Sequence, residues 1–292
     1  KLSATTKTHL LYELSPTINQ PATLIKITYW TGTQYCLENS MNNRYQNTSP
    51  SKTNAIDIKI ISLFIGIPCL LMMLLMVFEP VSLDLWIADH LYIQGTGFIG
   101  KKSFFLEDIL HDRVKQVLYM VPLLALLGLI GSYCPFTFIP AWLKNHRLEM
   151  TYLLLAMSIS TGIMRPLKLE TAVQCPWSLD RYGGVEPYSS LMSKRPAAVK
   201  SEGQCWPGGH ASAGFSFLAF FFIFRDKNAA KAKKALVFAL ALGSILGFGR
   251  MLQGAHFLSH NIWTMLIDWT ICAILYFILL APKSAKNTQN TL

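Results

Sequence analysis

Residues 58–78 read IKIISLFIGIPCLLMMLLMVF, 21 residues with Lys59 as their single charge. A helix needs about 20 mostly apolar residues to cross roughly 30 Å of hydrocarbon, so this stretch alone can span a membrane. Further apolar stretches lie at 117–139, 148–166, 211–224, 235–253 and 261–281, the fourth being short and continuing back through Gly208 and Gly209. Backbone polar groups in lipid must be satisfied within the segment, and no alternating ten-residue pattern supports a barrel. The expected architecture is an all-α integral membrane domain of six transmembrane helices over residues 57–281.

Composition points the same way. Hydrophobic residues make up 52% of the 292, charged residues 14%, and mean hydropathy is +0.34, whereas a soluble domain carries roughly a quarter charged side chains. The apolar content excludes a disordered chain, and six cysteines in so long a sequence exclude a disulfide-stapled miniprotein. Residues 1–56 differ from the rest, being rich in Thr, Asn, Ser and Gln, with neither a spanning run nor a signal-peptide pattern. They read as a polar segment that is disordered or not native, with Met41 as a candidate start.

The net charge of +10 would suggest nucleic acid in a soluble protein. Segments 140–150, 225–234 and 282–292, however, hold nine Lys and Arg against Glu149 and Asp226 only. These read as cytoplasmic, the last as a cytoplasmic tail. The longer segments 79–116 and 165–208 hold ten basic and ten acidic residues together and read as the outer side. The charge is a topology signal, and no nucleic-acid partner is expected.

Four polar residues then fall at the outer helix ends: Lys168 after the third span, His210 opening the fourth, Arg250 and His256 closing the fifth. Each alone reads as an interfacial side chain. In Pro207-Gly208-Gly209-His210, however, two glycines open a helix whose free N–H groups and dipole favour an anion. Arg250 and His256 are six residues apart, about 240° around a continuous helix, so they converge only if the helix ends between them. Gly254 is suited to end it.

The ordered set Lys168-x6-Cys175-Pro176, Pro207-Gly208-Gly209-His210 and Arg250-x5-His256-x3-His260 resembles the three signature motifs of the type 2 phosphatidic acid phosphatase superfamily, K-x6-R-P, P-S-G-H and S-R-x5-H-x3-D. The resemblance implies six helices, an active site at the outer membrane face, and a lipid phosphatase that needs neither metal nor cofactor. His256 would form a phosphohistidine, His210 would protonate the leaving oxygen, and His260 would stand where an aspartate orients the nucleophile. Lys168, Arg250 and the amides of Gly208 and Gly209 would hold the phosphoryl oxygens. The expected substrate is a lipid phosphate or polyprenyl diphosphate, and the expected location a bacterial inner membrane with the site facing the periplasm. The oligomeric state is not legible.

Four departures stand out: Cys175 for the first motif's arginine, Gly208 and Gly249 for two serines, and His260 for the aspartate. Arg181 or Arg195 in the same outer segment could replace the missing guanidinium. A neutral His260 can accept a hydrogen bond from His256 but supplies no negative charge, so a slower nucleophile is expected, failing as His260 protonates. Glu170, Asp180 or Glu186 are alternative orienting carboxylates. Cys175 and Cys205 share the outer segment, where an oxidising periplasm would let them form a disulfide. The run Phe215 to Phe224 reads as lipid-facing packing. Three alternatives stay open: a lipid phosphotransferase of the same fold, a catalytically inactive structural or transport protein, and a zinc site on His210, His256 and His260.

Overall fold

The computed structural model describes residues 59–134, 139–191 and 203–281, together with a two-residue antiparallel pairing of Ile27–Thr28 with Gln34–Tyr35. Apart from that pairing, the polar segment 1–56 lies outside the described residues, as do the tail 282–292 and Arg195. Residues 1–55 and 56–292 form separate compact units.

The second unit is helical: α1 (Lys59–Val77), α2 (Val81–Leu91), α3 (Phe105–Tyr133), α4 (Ala141–Asn145), α5 (Arg147–Thr171), α6 (Gly209–Phe215), α7 (Leu218–Phe224), α8 (Ala229–Leu252) and α9 (Leu258–Leu279). Among the described residues four of these, α1, α3, α8 and α9, are long and apolar enough to cross a membrane. Six such spans were expected. Helix α5 is long enough at 25 residues, but Arg147, Glu149, Arg165, Lys168 and Glu170 crowd its two ends. Helices α6 and α7 together make only the shorter apolar stretch Gly209–Phe224, interrupted at Ser216 and Phe217.

Exposure follows what the residues can face. Helices α1 and α3 display Leu63, Ile67, Leu70, Met73, Leu124 and Leu127 outward. An apolar face of that extent would be a liability in water and is at home against acyl chains. Helix α5 turns Tyr152, Ala156, Ser160 and Met164 inward at helical spacing, against Leu218, Phe222, Cys272 and Tyr276. Small residues let α6 and α8 cross closely: a Cβ on Gly214 would fall 2.5 Å from the Gly243 nitrogen. Lipid-facing aromatics were expected at Phe215, Phe217 and Phe222, but all three are buried. Phe222 packs edge-on to Phe64 and Trp269, and the Trp269 indole donates to the Phe64 carbonyl at 2.9 Å.

One polar cluster lies inside this core. Asp268 of α9 is fully buried and accepts from Ser212 Oγ of α6 at 3.2 Å, while the same hydroxyl lies 3.2 Å from the Ser160 carbonyl of α5. A carboxyl in an apolar interior is tolerated only with such partners. It ties together three of the four helices that carry the motifs.

Over the end of the helices that carries the motifs sits a cap of irregular structure. The hairpin Tyr92–Ile93 with Gly97–Phe98 follows α2, and Ala88, Phe98, Leu179, Tyr182 and Phe257 form its own small core. Gly100 N–H donates to the Leu252 carbonyl at 2.8 Å, joining the hairpin to the end of α8.

Candidate active site

Four segments deliver the motif side chains to one place. Lys168 stands near the end of α5, His210 in the first turn of α6, Arg250 in the last turn of α8, and His260 in the first turn of α9, with His256 in the turn before it. Helix α8 ends at Leu252, and Gly254 takes φ +74°, where a side chain would be strained and would also run into the Phe98 ring. That break lets Arg250 and His256 face the same space. Lys168, His260, Arg250 and His210 all lie close enough to act on His256 through their charge.

His256 is 4% exposed, and burial first, then the positive neighbours, pushes its pKa well below the ordinary value of 6.5. The imidazole is therefore neutral at neutral pH, as a nucleophile requires. The His256 and His260 rings meet edge to face at 5.9 Å, and Nδ1 of neither has a hydrogen-bond partner. The Cys205 backbone bonds the His260 ring, so His260 is held from the loop that precedes α6.

The helix start is an anion cradle of altered composition. A Cβ on Gly209 would sit 3.7 Å from Lys168 Cε and 3.9 Å from its Nζ, placing the ammonium beside the first turn of α6. The expected contribution of the Gly208 amide needs correction, because that N–H donates to Thr264 Oγ1 at 2.8 Å, whose hydroxyl passes on to the His260 carbonyl at 2.7 Å. The N–H groups of Gly209, His210 and Ala211 open the helix instead. Glycine at 208 has a steric reason: a Cβ there would lie 2.7 Å from Asn261 Oδ1.

Arg250 is set by a chain of side chains. Its Nη1 donates to Gln253 Oε1 at 2.7 Å, Gln253 Nε2 donates to Glu107 Oε2 at 2.6 Å, and Nη1 lies 3.6 Å from that same carboxylate oxygen. The Trp177 ring covers its guanidinium at 5.6 Å. Arg181 does not replace the missing motif arginine, because it is held bidentate by Asp89 at 2.9 and 2.7 Å on the surface. At the missing arginine's position Cys175 is bonded to Cys205, with Cα atoms 5.1 Å apart across 30 residues. Among the described residues no group of three or more His, Cys, Asp or Glu side chains could hold a metal ion, the trio His210, His256 and His260 included.

Two acidic residues that the motifs do not mark belong to this site. Glu107 reaches Arg250 from α3. Asp84 of α2, only 2% exposed, accepts from the Ser259 N–H at 2.9 Å. The one sequence signal for Asp84 is its position four residues before Ala88, on the face of α2 that is buried.

Residues 149–282, which contain all three motifs, match the PAP2 superfamily. Over 205 residues the chain is 26% identical to the protein named lipid A 4'-phosphatase of Francisella tularensis subsp. novicida (strain U112), an alignment covering 67% of this chain and 87% of that one. No solved structure matches.

Proposed function

We propose, from the match of residues 149–282 to the PAP2 superfamily, that the chain is a phosphoric ester hydrolase that cleaves a phosphomonoester or diphosphate from a membrane lipid through a phosphohistidine on His256. The observation that carries this reading is the convergence of Lys168, His210, Arg250 and His260 on a buried, neutral His256.

In the first step the His256 ring nitrogen bonds phosphorus as the bond from phosphorus to the lipid oxygen breaks, and His210 gives that oxygen its proton. Lys168, Arg250 and the first free N–H groups of α6 hold the phosphoryl oxygens, whose charge needs positioning more than covalent help. In the second step water attacks phosphorus, His210 takes its proton, and inorganic phosphate leaves with His256 restored. No metal enters either step. Glu107 competes with the phosphoryl group for Arg250 and is displaced when substrate binds.

The same reading places six membrane crossings, α5 and the joined α6 and α7 completing the four apolar helices, with the site at the periplasmic face of a bacterial inner membrane. Lipid phosphates therefore reach the site laterally at headgroup depth. The relative's name makes lipid A one substrate to try, beside phosphatidic acid, phosphatidylglycerol phosphate and polyprenyl diphosphate. Purified protein offered each lipid should release phosphate from at least one without added metal and in the presence of chelator. Phosphate release from none, or only with zinc, would overturn the reading; transfer to a second lipid in place of release would make it a phosphotransferase.

A further inference from the structure

We propose that Asp84, on a helix outside all three motifs, is the carboxylate that positions the nucleophile His256, the part that an aspartate at position 260 would otherwise take. The proposal rests on the phosphohistidine reading and adds a residue to it.

Helix α9 begins one residue after Phe257 and has no side-chain cap of its own and no acidic residue in its first turn. Asp84 supplies both from outside, 175 residues away in sequence. Its carboxylate accepts the Ser259 N–H at 2.9 Å, and the Ser259 hydroxyl and the Leu258 N–H also bond it. A carboxylate on the first N–H groups of a helix is favoured by their unpaired hydrogens and by the dipole. The consequence falls on His256, two residues before the first of these donors: the capping bonds fix the chain on its far side, as the Ala255 N–H bond to the Arg250 carbonyl at 2.9 Å fixes it on the near side.

Distance gives the second part of the argument. Asp84, His256, Phe257 and Leu258 line one small cavity of about 10 Å³, closed by Ala88, Leu91 and Phe98. A space of that size holds roughly one water. Nδ1 of His256 has no protein partner, and one water between them would carry its hydrogen bond to the carboxylate. The negative charge would then oppose the positive neighbours Lys168 and Arg250 as the imidazole becomes a phosphorylated cation.

The state of Asp84 fits a functional group better than a structural one. Burial, only partly offset by the Ser259 hydrogen bonds, raises its pKa from 3.8 to about 6. A folded pKa above the unfolded one means that the charged form opposes folding: stability falls as pH rises through about 4 to 6. An aspartate that cost stability at neutral pH would be explained by what its charge does. Other ionisable groups facing it are Glu79 and Tyr188, with His256 across the cavity.

The test uses the full chain in detergent with a lipid phosphate that the wild type hydrolyses. Asp84→Asn should lower kcat by about 30-fold or more with KM changed less than threefold, and its melting temperature at pH 8 should equal or exceed the wild type's. Asp84→Glu should recover part of the loss. The wild-type kcat should fall as pH drops through about 6, a limb that Asp84→Asn abolishes. Wild-type turnover that is level from pH 5 to 8 would overturn the proposal even if the asparagine variant failed to fold. So would an Asp84→Asn enzyme with kcat within twofold of the wild type. Activity surviving His256→Ala would instead overturn the phosphohistidine reading, so the two failures are distinguishable.

Discussion

Burial removes His256 from water, and Lys168, His260, Arg250 and His210 oppose its protonation, so the ring proposed as nucleophile is neutral at neutral pH. Substituting one of those neighbours should therefore move its titration. His260→Asp replaces a neutral ring with a negative charge beside His256, so the pKa of His256 should rise back toward 6.5. Turnover at pH 8 should increase, because the phosphorylated cation gains a counter-charge, while the titration of His256 itself should move to higher pH. The sequence alone put the limit elsewhere, with the nucleophile expected to fail as His260 protonates. Titration of the His256 ring followed by NMR in the wild type and in His260→Asp decides the sign, and an unchanged pKa would mean that position 260 has no electrostatic hold on it.

At the scale of elements, the segment between α5 and α6 is held by more than its disulfide. Cys205 N–H donates to the Val173 carbonyl at 3.1 Å, Trp177 N–H to the Gly254 carbonyl at 2.9 Å, and the Cys205 backbone holds His260. Closing a loop of 30 residues is worth about 3–4 kcal/mol in the chain-entropy model. Cys175→Ser with Cys205→Ser should accordingly lower thermal stability and reduce kcat several-fold through loosened His260, and thiol reagents should label neither cysteine of the native protein before reduction. Full labelling without reductant would show that the bond does not form. The sequence carried this pairing, the helix break at Gly254 and the convergence of the motif residues, because each depends on spacing within one or two segments. It did not carry Asp84, Glu107 or the engagement of Arg181 by Asp89, since these contacts join segments separated by 175, 146 and 92 residues. Only the folded cap brings them to the motifs. Glu170, Asp180 and Glu186 were the carboxylates expected from the outer segment, and Asp84 is the one in the cavity that His256 lines.

For the whole molecule, the apolar exposure of α1 and α3 and the buried Asp268 cluster describe a bundle solvated by lipid outside and tied by polar contacts within. Helix α8 sets the depth of the chemistry. Lys231 and Arg250 lie at its two ends, about 29 Å apart at 1.5 Å per residue, which is one hydrocarbon thickness. The basic end pairs Lys227 with Glu149 at 2.6 Å, whereas the other end holds the site. Reporter fusions after Lys234 and after Lys200 should therefore report opposite sides of the membrane, and the same side for both would contradict six crossings. The central claim is that phosphate passes through His256. The most direct measurement is to quench the enzyme during turnover of a radiolabelled lipid phosphate and follow label on the protein. The account predicts an acid-labile, base-stable phosphoprotein in the wild type and none in His256→Ala, which should also be inactive; label of the same stability on the His256→Ala protein, or turnover by it, would contradict it.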